Sequence, residues 1–165
     1  MRSKMSIAGH PIHPQIIPFP IAFTFGAALS DLLYLWHRSD TWYNVSTWNI
    51  LLGTIGGAAA ALPGAIDFFT SLTVGAHRPA AIHALLNGSF IGTNSVNAAM
   101  RVSGRARSGR GLATALMMTA IGAGLLGVSG WLGGDIVYRH GVAVEPAPPH
   151  KHRPGDPREP WQIAA

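Results

Sequence analysis

Four long stretches of this sequence each carry a single ionisable side chain. Gln15 to Trp36 holds only Asp31, Val45 to Phe69 only Asp67, Pro79 to Met100 only His83, and Leu112 to Val137 only Asp135. Each stretch is about as long as the roughly 20 residues a helix needs to cross bilayer hydrocarbon. Buried helices of soluble bundles are usually shorter and keep a charged outer face. Four spans with one ionisable residue each leave no such face. Composition agrees, since 12% of residues are charged against about 25% in ordinary soluble proteins. The pattern predicts an all-α, four-helix transmembrane up-down bundle over residues 1–144, followed by a Pro-rich disordered tail over 145–165.

Arginine and lysine are confined to the loops and ends. A net charge of +5 placed there suits anchoring on anionic lipid, and no nucleic-acid partner is expected. The chain has no cysteine, which excludes disulfides, thiolate-held iron–sulfur clusters and thiol nucleophiles. Arg2 and Lys4 could open a signal peptide, but the apolar run that follows is too long for one and reads as a retained helix.

The segment Gly9-His10-Pro11-Ile12-His13-Pro14 alternates proline with histidine and favours extended or turned backbone. Helix one is expected from Gln15 to Trp36, helix two from Val45 to Phe69 with a kink at Pro63, helix three from Pro79, and helix four from Leu112 to Tyr138. Trp36, Trp42 and Tyr43 suit an aromatic belt at the membrane surface. Gly53-Thr-Ile-Gly-Gly57 and Gly130-Trp-Leu-Gly-Gly134 fit close helix packing, within one chain or between two copies in a homodimer. The loop bearing Arg101, Arg105, Arg107 and Arg110, together with Arg38, is expected in the cytoplasm. Both termini would then be extracytoplasmic, in a bacterial cytoplasmic (inner) membrane.

Polar side chains in hydrocarbon turn inward. At about 100° per residue, His83, Asn87, Asn94 and Asn97 share an arc of about 80°. Asn49, Gly53, Gly56, Ala60, Gly64 and Asp67 share one side of helix two, and Gly124, Trp131 and Asp135 line up on helix four. Antiparallel alternation brings His10, His13, Asp67, His77, His83, Asp135 and His140 to one membrane face. Imidazoles with carboxylates suit a transition metal, and a pair of imidazoles suits haem iron. On this reading His10, His13, His83 and His140 are ligands. Asp67 and Asp135 ligate or orient the imidazoles, and Asn87 supports them. A His–Asp pair could instead carry protons. The same residues could also serve only as hydrogen-bonding glue between helices. His150 and His152 fall in the tail and are expected to be solvated. No phosphate loop, nucleophile elbow or helical Glu-x-x-His pair is present.

Gly9-His-Pro-Ile-His-Pro14, followed by Ile17-Pro-Phe-Pro20 and Asp31, resembles the opening of a bacterial membrane family, domain of unknown function 2231. Gly130-Trp-Leu-Gly-Gly-Asp-Ile-Val-Tyr-Arg-His-Gly-Val142 resembles its ending, and Asp67 and His83-Ala-Leu-Leu-Asn87 fit its middle. The resemblance spans about residues 9–144 and implies a four-helix membrane domain. Some members are joined to a Rieske-type iron–sulfur domain, which implies redox work. With no cysteine these residues cannot form such a cluster themselves, and a redox partner protein is among the expectations. The functional expectation is a metal- or haem-binding redox accessory. The alternative is a scaffold or partner subunit whose polar residues only stabilise packing.

Overall fold

A computed structural model describes residues 3–70 and 78–142. The chain opens with a hairpin, β1 (Ser6–Ile7) paired antiparallel to β2 (His10–Pro11). Ala8 and Gly9 make its turn with φ of 51° and 81°, the two positive values that a tight hairpin turn demands. Helices follow: α1 (Ile12–Ile16), α2 (Pro18–His37), α3 (Asp40–Thr70), α4 (Arg78–Val102) and α5 (Gly109–Tyr138). The expected tail and His77, His150 and His152 lie outside the described residues.

The helices begin earlier than the sequence suggests. His13 and Pro14 sit inside α1 rather than in extended chain, because proline is tolerated in a first turn, where its missing N–H has no intrahelical partner. Only His10 and Pro11 keep the extended form. Pro18 and Pro20 have no N–H to donate, and α1 gives way to α2 at Ile17, itself helical. The α2–α3 link is shorter than expected. Arg38 closes α2 in the left-handed conformation, φ 54°, and donates its N–H to the Tyr34 carbonyl at 2.8 Å. Helix α3 runs through Pro63 to Thr70.

The four long helices pack in a ring, each against its sequence neighbour, with α2 also meeting α5. Small side chains make the central contacts: Ala27, Ile50 and Ala98 form the apolar cluster. Gly53 lies against Thr24, Gly56 against Pro20, and Gly57 against Phe90, so the first glycine motif is used for packing inside the chain.

Polarity is inverted relative to a water-soluble bundle. Thr24, Ser30, Asp31, Ser46, Asn94, Asn97, Arg101, Thr119 and Ser129 are buried, while Leu29, Leu32, Ile55, Leu62, Leu85 and Val128 face outward. Such an arrangement is stable only where the outer solvent is itself apolar. Helices Ile12–His37, Asp40–Thr70 and Gly109–Tyr138 are long and apolar enough to cross a membrane. Helix α4, with 25 residues, is long enough as well, but its inward face is diluted by histidine, asparagine and arginine.

Two inward assignments change. Tyr43 is only 3% exposed, so it belongs to the core rather than to a surface belt, whereas Trp36 is 84% exposed. On α5, Gly124 and Trp131 point outward, and the inward face carries Ala115, Thr119, Gly122, Leu126, Ser129 and Ile136. Asp135 flanks this face. Stripe alignment alone cannot tell which side of an apolar helix turns in, because both sides are apolar.

Candidate functional site: two polar compartments in the bundle

One end of the bundle holds the residues that sequence placed on a shared face, but they separate into distinct nodes. Asp67, near the end of α3, receives the backbone N–H of Lys4 at 2.8 Å and of Met5 at 3.2 Å, and the Ser3 hydroxyl. It ties down the N-terminal hairpin. Asp135 pairs with Arg139 one turn on, at 2.9 Å, and lies 3.8 Å from His140. Gly130, Trp131, Gly134, Asp135, Tyr138 and Arg139 line an open groove there, about 350 Å³ in volume. His10 is exposed, and its Nδ1 bonds the Ala8 carbonyl of its own hairpin.

His13 and His83 are brought together. Their rings meet edge to face with centroids 6.1 Å apart. His13 Nδ1 donates to the Ala60 carbonyl of α3 at 2.7 Å. His83 Nδ1 donates to the Ser129 carbonyl of α5 at 2.8 Å, with the Ser129 hydroxyl 3.0 Å away. A carbonyl only accepts, so Nδ1 is the donor in both rings, which leaves Nε2 as the atom available to a further partner. Asn87 donates to His83 Nε2 at 3.0 Å and to the His83 carbonyl at 2.9 Å. Both rings lie over glycine. A Cβ at Gly64 would come within 2.9 Å of His13 Nδ1, and one at Gly133 within 3.1 Å of His83 Cε1.

His13 and His83 are thus joined directly, with Asn87 beside His83. Among the described residues, no group of three or more His, Asp or Glu side chains could hold a metal ion. The six expected ligands do not converge. Asp67 is occupied by the hairpin and Asp135 by Arg139, competing partners that residue type and helix phase do not reveal.

The opposite end holds a second polar compartment that residue-type patterns missed. Arg101, 3% exposed, donates from Nη2 to Asp31 Oδ2 at 2.7 Å, and Asp31 is 5% exposed. Arg101 Nε donates to Asn97 Oδ1 at 3.0 Å and Nη2 to Thr119 Oγ1 at 3.2 Å. Asn97 donates to the same hydroxyl at 3.0 Å, and that hydroxyl donates to the Ala115 carbonyl at 3.1 Å. The guanidinium lies 5.5 Å from the Tyr43 ring centre. Arg101 therefore belongs to the core, not to the Arg-rich loop. A signal was present: at about 100° per residue Arg101 falls inside the His83–Asn97 arc, at the angle of His83 itself. Its charge concealed its place on the stripe.

An apolar layer divides the two compartments. Asn97 meets Thr119, Asn94 packs on Gly122 and His83 on Gly133. This antiparallel register of α4 and α5 sets Phe90 opposite Leu126. Phe90 is 1% exposed and Leu126 5%, and a Cβ on Gly57 would lie 2.8 Å from the Phe90 ring.

No curated protein matches this chain. No solved structure matches it either. The family described as "Predicted membrane protein (DUF2231)" matches residues 9–146. That match covers both compartments and every long helix, and the inside-out polarity of the bundle fits its description. The chain is an integral membrane protein belonging to that family.

Proposed function

We propose that this protein binds one transition-metal ion, haem iron included, through His13 and His83, and serves as a redox accessory in a bacterial cytoplasmic membrane. The observation that carries the reading is the shared anchoring of two neighbouring imidazoles. Each is fixed through its Nδ1–H by a backbone carbonyl of a different helix. Metal-ligating histidines are commonly held this way, because the bond sets the ring and raises the basicity of Nε2. His13 and His83, whose ring centres lie 6.1 Å apart, would hold the ion through imidazole nitrogen, a donor that suits transition metals, and the ion would supply the redox centre. Remaining ligands would come from the ion's own water, a porphyrin or a redox partner protein.

Asn87 favours a second reading. Its amide already occupies the His83 lone pair, as expected if the pair is only an interhelical fastening in a scaffold or partner subunit. Purification in detergent, a visible spectrum and elemental analysis separate the two. The metal reading expects a stoichiometric metal or a Soret band that His13→Ala or His83→Ala abolishes and His10→Ala retains. A folded protein free of metal and colour, and unable to take up added zinc, copper or haem, overturns it.

Orientation is part of the proposal. Burial of Arg101 removes it from the loop count, which leaves Arg38, Arg105, Arg107 and Arg110 against Arg2, Lys4, Arg78 and Arg139. The tight grouping of Arg105, Arg107 and Arg110 still supports a cytoplasmic loop, with the His13–His83 face outside. A homodimer through the outward Gly130–Gly134 groove is compatible with this placement.

A further inference from the structure

The Asp31–Arg101 compartment contains more polar groups than its side chains satisfy. Among the described residues, seven buried atoms lack a hydrogen-bond partner: Thr24 Oγ1, Asp31 Oδ1, Tyr43 OH, Ser46 Oγ, both amide atoms of Asn94, and Arg101 Nη1. All lie on the Arg101 side of Phe90. Thr24 and Asp31 are seven residues apart on α2, as are Asn94 and Arg101 on α4, a rise of about 10 Å along each helix. None occurs among the His13–His83 residues, whose hydrogen bonds are internally made.

An unpaired buried polar group is expensive, and several at one end of the bundle make a dry core there costly. The chemistry of the set identifies its occupant. Arg101 Nη1 and the Asn94 amide nitrogen only donate, Asp31 Oδ1 and the Asn94 oxygen only accept, and the three hydroxyls do both. The charges of Asp31 and Arg101 cancel, so neither an anion nor a cation is called for. A small neutral molecule that donates and accepts in every direction fits such a lining, and water needs only two to four polar partners of this kind.

We propose that this compartment is a binding site for a cluster of buried water molecules, organised by the Asp31–Arg101 pair and closed toward His13 and His83 by Phe90. The protein then holds a hydrated polar column reaching partway into the membrane from its Arg-rich end, with an apolar seal at the column's foot. The inference is independent of whether His13 and His83 bind a metal.

Radiolytic hydroxyl labelling of the full chain in nanodiscs, read by mass spectrometry, tests it. Radicals formed from bound water modify neighbouring side chains even where bulk solvent has no access. Tyr43, 3% exposed, is expected to be modified at a rate comparable with Tyr138, which is 91% exposed. Thermal unfolding of Thr24→Val and Ser46→Ala supplies the second readout. Hydroxyls bonded to water are missed when removed, so both variants should melt below the parent. Dry, unpaired hydroxyls are a liability, so both should then melt above it. An unmodified Tyr43, or variants as stable as the parent or more so, overturns the proposal.

Discussion

Arg101 and Asp31 lie seventy residues apart in sequence, yet the guanidinium donates to the carboxylate at 2.7 Å with both side chains buried. The pair fastens the end of α4 to the end of α2, two helices that are not chain neighbours. Asn97, Thr119 and the Tyr43 ring complete the surroundings of the cation. Removing one partner leaves a buried charge uncompensated, at a cost of about 3–5 kcal/mol. Arg101→Ala and Asp31→Ala are each expected to lose that much in equilibrium unfolding from mixed micelles. Asp31→Leu combined with Arg101→Met should lose much less, because apolar replacement of both charges avoids the orphan. Equal losses in the single and double variants would refute this account.

Gly57 packs directly against the Phe90 ring. With 2.8 Å between a new Cβ and the ring, Gly57→Ala forces the aromatic or the helix to move. Overpacking of this kind costs about 1–3 kcal/mol. Adding Phe90→Leu to Gly57→Ala should recover part of the loss, giving a non-additive cycle, as expected for residues in contact. Additive losses would place the two in separate surroundings.

Gly64→Ala tests the His13 seat without touching an imidazole. The added methyl would meet His13 Nδ1 at 2.9 Å and displace the ring from the Ala60 carbonyl. If the pair binds metal, occupancy should fall toward that of His13→Ala while helix content by circular dichroism stays unchanged. Undiminished occupancy would show that His13 needs no such support.

Asp67→Ala should act locally. It removes acceptors from Ser3, Lys4 and Met5, and hydrogen bonds to a charged group contribute about 1.5–3 kcal/mol each at most. The N-terminal hairpin is expected to detach, making the bond after Lys4 sensitive to trypsin. The melting temperature of the four-helix core should stay close to the parent's. A large fall in melting temperature with no new cleavage would contradict a hairpin-fastening role.

The helical framework is legible in the sequence. Four spans with one ionisable residue each, separated by basic segments, have few solutions in hydrocarbon, since each backbone must satisfy its own hydrogen bonds. The inward arc of α4 was legible too, because its apolar background makes His83, Asn87, Asn94 and Asn97 stand out. Boundaries near proline were not: a first turn accepts His13 and Pro14 as readily as extended chain does.

Pairing across the bundle was decided only by tertiary structure. Sequence assigned Asp67 and Asp135 to a common cluster and Arg101 to a loop. The fold gave Asp67 to the hairpin amides, Asp135 to Arg139, and Arg101 to Asp31. The physical reason is that helix phase fixes a side chain's direction but not the depth or rotation at which another helix meets it. A polar group bonds whichever partner that register supplies first. Sequence therefore determined that polar groups would fill the interior, and the antiparallel register determined which of them meet.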